Sequence, residues 1–302
     1  QEDRPSFDQP IETCPFESLE EKILTTYTFV DKSPEDDWWV VVVPNKYPAF
    51  NKDRSPFIHS VGPYKWTEGI GFHEVVVTKD HRRSIAEMSQ EEARLVIRVY
   101  QERYLVMKKD EGVRYIAILH NHGRLAGATI SHPHSQIIAI PVVPPDIGKS
   151  IRGSGDYSLK HRSCVHCQVL KYELQAKDRI IYENDGFAAL APFASKTAFE
   201  IRIFPKKHSP YFEEMDEDSR GYLADAMRIS LAKLFKGLGN PDYNFFLHTA
   251  PTRDSHEFEQ YHWHFEILPK TSIWGGFEIS TGIEISTITP EEAAEFLREV
   301  KV

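Results

Sequence analysis

The sequence predicts an α+β protein built by tandem duplication, each half a mainly antiparallel sheet with flanking helices. Two observations predict it. The first is that the order of features repeats. Cys14, an apolar run at 38–43 closed by Pro44, a second run at 73–77 leading to Asp80-His81, and His132-Pro133-His134 make up the first copy. Cys164 and Cys167, a run at 187–191 closed by Pro192, a run at 199–205 leading to His208, and His262-Trp263-His264 make up the second. The second observation is a helical periodicity between the second run and the histidine pair in each copy, as a duplication of about 130 residues requires. Strands, one long helix and strands again define an α+β unit.

Each element follows from local chemistry. The runs at 38–43 and 73–77 are dominated by valine, whose branched side chain suits a pleated surface. Ser89 and Glu92 form a capping box ahead of Leu95, Val96, Val99, Tyr100 and Met107, which recur at helical spacing. The run 134–140 reads as a strand, and Pro133 has no N–H for a ladder, so that strand begins there or lies at a sheet edge. The Pro-, Gly- and Ser-rich stretch 141–160 reads as the linker between halves at 1–150 and 151–302. Asp216-Glu217-Asp218 places negative charge at the start of the second long helix. Thr289-Pro290-Glu291-Glu292 opens a third, with proline at the first helical position.

Composition excludes several classes. A net charge of −9 argues against a nucleic-acid partner, which needs a basic footprint. No apolar run approaches the roughly 20 residues that span a bilayer, and no signal segment opens the chain. Three cysteines do not build a disulfide scaffold, and a C-x-x-C pair points to metal in a reducing cytoplasm.

The histidines carry the chemistry. Alternation along a strand puts His132, His134 and Gln136 on one face. Cys164, Cys167, His208 and His262 are the right types and number for tetrahedral zinc. The matching residues of the first half are Cys14, Glu17, His81 and His132, with a carboxylate in place of one thiolate. Two closed, structural sites are expected, with iron as the alternative metal; a pair of buried thiols is the alternative for the cysteines. If His132 is a ligand, His134 is free to attack phosphorus as a neutral imidazole, and Gln136 can donate to a phosphoryl oxygen. The small-residue loop from Asn121 through Gly123, Gly127, Ala128 and Thr129 offers backbone N–H groups to a phosphate, or is an ordinary turn. His264 matches His134 but precedes Phe265-Glu266, so the second copy reads as degenerate and non-catalytic.

Taken together, Cys14-Pro15-Phe16-Glu17, Pro44-Asn45-Lys46-Tyr47-Pro48, Asn121-His122-Gly123, His132-Pro133-His134-Ser135-Gln136, the segment 205–208 and Gly275-Gly276-Phe277-Glu278 resemble the galactose-1-phosphate uridylyltransferase family, the duplicated branch of the histidine-triad superfamily. The resemblance covers nearly the whole chain and implies a histidine-triad-like fold in each half. It also implies ping-pong exchange of UMP between UDP-glucose and galactose 1-phosphate through a nucleotidyl-His134. It places Asn45, Lys46 and Tyr47 along the nucleotide, Asn121 and Gln136 on phosphate oxygens, and Glu278 on sugar hydroxyls, in a homodimer. The run from Gly275 also resembles ADP-glucose phosphorylases, where phosphate accepts the nucleotide. A zinc-dependent hydrolase and a non-catalytic nucleotide-binding protein are the remaining alternatives.

Overall fold

The computed structural model describes residues 8–19, 23–29, 37–53, 57–253, 257–273 and 275–302. In chain order its elements are β1 (Thr25–Tyr27), β2 (Val40–Pro44), the hairpin β3 (His59–Val61) and β4 (Tyr64–Trp66), β5 (Phe72–Thr78), α1 (Gln90–Lys108), β6 (Tyr115–His122) and β7 (His134–Ile140). There follow α2 (Pro145–His161), α3 (Val165–Ala176), β8 (Ile180–Glu183), β9 (Phe187–Leu190), β10 (Ile201–Pro205), α4 (Glu217–Leu238), β11 (Tyr243–His248), β12 (His264–Pro269), α5 (Gly276–Thr281) and α6 (Pro290–Glu299). The fold is α+β.

The two copies share one antiparallel sheet of ten strands, ordered β1-β2-β5-β7-β6-β11-β12-β10-β9-β8. Within it, β2-β5-β7-β6 and β9-β10-β12-β11 have the same internal order and meet at β6 and β11, where Asn121 lies directly opposite Asn244. The long helices α1 and α4 cover one face. Val42, Val76, Ile118, Ile137, Ile203 and Phe265 bury against them, along with Tyr100 and Leu231 of the helices themselves. Each such fully buried side chain contributes roughly 1.5–3 kcal/mol over an exposed one, which outweighs the intrinsic preference of any single residue.

Helix starts fall where the capping chemistry puts them. Ser89 Oγ accepts the Glu92 N–H while the Glu92 carboxylate accepts the Ser89 N–H. Asp216 accepts from Ser219 at the head of α4, and Thr289 from Glu292 at the head of α6.

Two expectations need correction. The stretch 141–160 is not an irregular linker, because α2 runs through most of it. Pro145 pre-sets the first turn, and Ile147 and Ile151 bury against Tyr115, Tyr211 and Tyr261, which offsets the glycines at 148, 153 and 155. Of the two placements expected for the strand at Pro133, the edge is overturned and the strand's beginning holds. β7 lies between β5 and β6, and Pro133 falls just before its first residue, where no ladder N–H is needed.

On the second face the copies differ. Helix α3 packs Leu170 over Ile180, Ala188, Leu190 and Phe204 of the second half. In the first half Val41, Val43, Val75 and Val77 meet only Phe16, Leu19 and Trp38 from loops, among the described residues. Helix α2 packs on this face through Ile147 and Ile151 against Tyr115, Ala117 and Ile140, at the end of β6 and β7 remote from His134.

Candidate active site

β7 presents alternate residues to opposite faces. Ser135 is buried on the α1 side, where its hydroxyl meets Tyr100 Oη at 2.5 Å and His120 Nδ1 at 3.0 Å. His134 and Gln136 are half-buried on the other side. The Nδ1–H of His134 donates to the main-chain carbonyl of His132 at 2.8 Å. A carbonyl can only accept, so the proton sits on Nδ1 and the lone pair on Nε2 is free. Burial holds the His134 imidazole below its ordinary pKa, a direction the His132 carbonyl opposes and the His132 ring reinforces. At neutral pH it is therefore a neutral, oriented imidazole, the form that can act as a nucleophile. Phe16 packs on it edge-on, with ring centroids 5.0 Å apart.

Gln136 is held by a residue that sequence reasoning passed over. His73 Nε2 lies 2.7 Å from Gln136 Oε1 and 3.0 Å from Asn45 Nδ2. The two contacts ask for opposite protonation of that nitrogen. The Ala49 N–H reaches His73 Nδ1 at 3.2 Å and can only donate, which calls for a proton on Nε2 donated to Gln136 Oε1, whereas the Asn45 NH₂ turned to the same nitrogen calls for a lone pair there. Asn45 uses its oxygen to accept the Tyr47 N–H at 2.9 Å, and Tyr47 and Lys46 are exposed beside it.

The loop from Asn121 to Pro133 is shaped by glycine. Gly123 has φ +82° and Gly127 φ +87°, both left-handed, and a Cβ on Gly123 would lie 2.2 Å from the Asp242 carboxyl. Asp242 accepts the Leu125 N–H at 2.6 Å. Ala128 is buried and Thr129 exposed at the turn of the loop. A cavity of about 320 Å³ opens against this loop, lined by Asn121, His122, Gly123, Ser131, Pro133 and Asn240.

The two ligand sets expected from sequence are each brought together, with all ligand atoms of a set within 4.8 Å of one another. In the second set Cys167 Sγ lies 3.3 Å from His208 Nδ1 and 3.4 Å from His262 Nδ1. The Nε2–H groups of those histidines donate to the carbonyls of Glu259 and Pro205. In the first set Cys14 Sγ lies 3.6 Å from His132 Nδ1, and Glu17 Oε1 lies 3.3 Å from His132 Nδ1 and 2.8 Å from His81 Nδ1. Here too the Nε2–H groups go to carbonyls, of Thr78 and Gln9. Every Nδ1 lone pair therefore faces its cluster, the outer-shell arrangement of metal-bound histidine. Bond lengths near 2.1 and 2.3 Å at a tetrahedral angle put N and S roughly 3.6 Å apart, close to what is seen. Burial and the neighbouring Cys164 thiol push the Cys167 thiol well above its ordinary range, so the pair needs a cation to ionise. The residues fit a divalent metal in both sets.

At the equivalent of Gln136, the second half carries Glu266, buried and paired with Lys196 at 2.9 Å, Arg202 at 3.3 Å and His264 at 3.4 Å. Lys196 and Arg202 surround Glu266, and His166 of α3 packs beside His264 with ring centroids 5.4 Å apart. Glu278 accepts the Gly275 N–H at 2.9 Å as the cap of α5, and no contact to the His134 group is seen among the described residues.

This is an α+β protein with a duplicated half-sheet, a half-buried histidine whose Nε2 lone pair is free, and two clusters of residues that could hold a metal. Residues 32–144 match the profile of the galactose-1-phosphate uridyl transferase N-terminal domain and residues 151–302 that of its C-terminal domain, so the chain belongs to that family of nucleotidyltransferases. It is 32% identical over 294 residues to an ADP-glucose phosphorylase of Arabidopsis thaliana, covering 96% of this chain and 82% of that one. It is 30% identical over 276 residues to a galactose-1-phosphate uridylyltransferase of Thermotoga maritima, covering 88% and 86%. The crystal structure of an Arabidopsis thaliana ADP-glucose phosphorylase with bound ADP-glucose superposes with a TM-score of 0.84 at 30% identity, covering 99% of this chain and 93% of that one. Among the described residues, no helix is long and apolar enough to cross a membrane.

Proposed function

We propose that this enzyme moves a nucleotidyl group from a nucleotide sugar to an acceptor phosphate through a covalent adduct on His134 Nε2, in a ping-pong cycle. The observation that carries the reading is the bond from His134 Nδ1–H to the His132 carbonyl, which leaves the Nε2 lone pair free. Nε2 attacks the α-phosphorus of the nucleotide sugar. A P–N bond forms, the P–O bond to the sugar phosphate breaks, and the hexose 1-phosphate leaves as an anion without needing a proton. In the second half-reaction an acceptor phosphate oxygen attacks the same phosphorus and the P–N bond breaks. Gln136 and Asn121 donate to the phosphoryl oxygens as charge builds on them.

The resemblance and the Thermotoga maritima relative support exchange of UMP between UDP-glucose and galactose 1-phosphate. The relative matching 96% of the chain supports the second reading, adenylyl transfer from ADP-glucose to phosphate. The nucleotide lies along Asn45, Lys46 and Tyr47, and its phosphates against Gly123, Gly127, Ala128 and Thr129. Zinc, or iron, is held by Cys164, Cys167, His208 and His262, and by Cys14, Glu17, His81 and His132. Bound there, it supplies rigidity rather than a reacting position, since four protein ligands close the site. The halves 1–150 and 151–302 act as a catalytic and a degenerate copy. Glu278 completes the sugar site of the partner in a homodimer, and the enzyme works in the reducing cytoplasm.

Positional exchange tests this. Without acceptor, labelled glucose 1-phosphate must enter UDP-glucose, or ADP-glucose under the second reading. No exchange with either nucleotide sugar overturns the ping-pong cycle.

A further inference from the structure

The second half gives the first more than a neighbouring strand. Asn244 on β11 stands directly opposite Asn121 on β6. Its Nδ2 makes two bonds, one to the main-chain carbonyl of Ala126 at 2.8 Å and one to Asn121 Oδ1 at 2.8 Å. The first bond fixes the second. A carbonyl only accepts, so the atom of Asn244 that faces Ala126 is its NH₂. That NH₂ then requires the oxygen of Asn121, and the Asn121 NH₂ is turned the other way. The Asn121 carboxamide is thus held by its oxygen, with its NH₂ group left for a ligand, and the lock ends on a backbone group that cannot flip.

We propose that Asn244 is a positioning residue that holds the Asn121 carboxamide NH₂-outward, so that the degenerate half sets the donor geometry for phosphoryl transfer in the catalytic half. The proposal rests on the nucleotidyl-transfer reading for its kinetic consequence. A site that receives a phosphoryl group needs donors alone, and a carboxamide free to turn presents its oxygen part of the time. Asp242, the residue just before β11, holds the loop backbone by accepting the Leu125 N–H.

The test uses sign rather than size. Asn244→Asp keeps the volume but exchanges the donor for an acceptor, which turns Asn121 oxygen-outward against the phosphoryl group. Single-turnover nucleotidylation of His134 falls by about 10²–10³-fold in Asn121→Ala, the usual cost of one lost donor. Asn244→Asp is expected to fall further than that. The double variant Asn244→Asp/Asn121→Ala then recovers to the rate of Asn121→Ala, because the misdirected oxygen is gone. A merely structural role predicts losses that multiply, and that outcome overturns the proposal. If Asn244→Asp does not fold, Asn244→Ala serves instead: combined with Asn121→Ala it must be no slower than Asn121→Ala alone, and a multiplicative loss overturns the proposal equally. If the wild type forms no adduct, the nucleotidyl-transfer reading has failed separately. The same variants are then titrated calorimetrically with UMP and AMP. The same ordering of affinities supports the positioning role; multiplying losses, or no binding by the wild type, overturns it.

Discussion

Glu266 stands on β12 two residues beyond His264, as Gln136 stands on β7 two residues beyond His134, and the two side chains have opposite surroundings. Gln136 is half-buried, with its Oε1 2.7 Å from His73 Nε2. Glu266 is buried among Lys196, Arg202, His248 and His264. Burial opposes its ionisation, but His264, His248 and Arg202 outweigh burial and hold its carboxyl far below the usual range. Where the first copy has an amide, the second has a buried ion network.

Glu266→Gln is therefore expected to destabilise the protein by about 3–5 kcal/mol, the scale of removing one partner from a buried pair. Denaturant unfolding measures it. A loss under about 1 kcal/mol would mean that water already reaches the cluster as it reaches a surface pair.

Gly123 and Gly127 separate strain from collision. Both have positive φ, but only Gly123 has a neighbour where a Cβ would go. Gly127→Ala should cost about 1 kcal/mol from backbone strain alone. Gly123→Ala should cost more and slow turnover, because it displaces Asp242 and the loop with it. Melting temperatures and initial rates of the two variants check the order.

Metal content distinguishes the two ligand sets. Purified protein is expected to hold two equivalents of metal, and Cys167→Ser and Glu17→Ala one each, by elemental analysis. Because Phe16 packs on both His132 and His134, loss of the Glu17 site should also lower activity.

The head of α1 carries a pH signature. Arg83 bridges Asp80 and Glu92 at 2.8 Å to each. Burial raises the Glu92 carboxyl, but its bonds to Arg83 and Ser89 outweigh that, and the net direction is down. A carboxylate whose folded pKa is lowered stabilises above its unfolded value near 4.3 and loses that contribution as pH falls through the folded one. Glu92→Gln should cost about 1 kcal/mol at pH 7, discounted for the exposed side of Arg83. Wild-type and variant melting temperatures should then converge below about pH 4.

Much of this was legible in the sequence, wherever the signal was local. Capping residues marked α1, α4 and α6, valine runs marked β2 and β5, and ligand spacing identified the residues that gather into two clusters. What escaped depends on partners far along the chain. α2 hides behind proline and glycine because its stability comes from Tyr115, Tyr211 and Tyr261 rather than from its own propensity. His73 sat in an expected strand, yet only the register of β5 against β7 puts it beside Gln136. Asn244 gave no signal, since its role exists only where the two copies join at β6 and β11.

On the proposed cycle His134 carries the nucleotide. Protein incubated with UDP-glucose or with ADP-glucose, without acceptor, is to be weighed intact. An acid-labile increment of one nucleoside monophosphate, absent in His134→Ala, is the predicted result, and its mass names the base. An unmodified wild-type mass with both nucleotide sugars, in protein that holds its metal, would contradict the account.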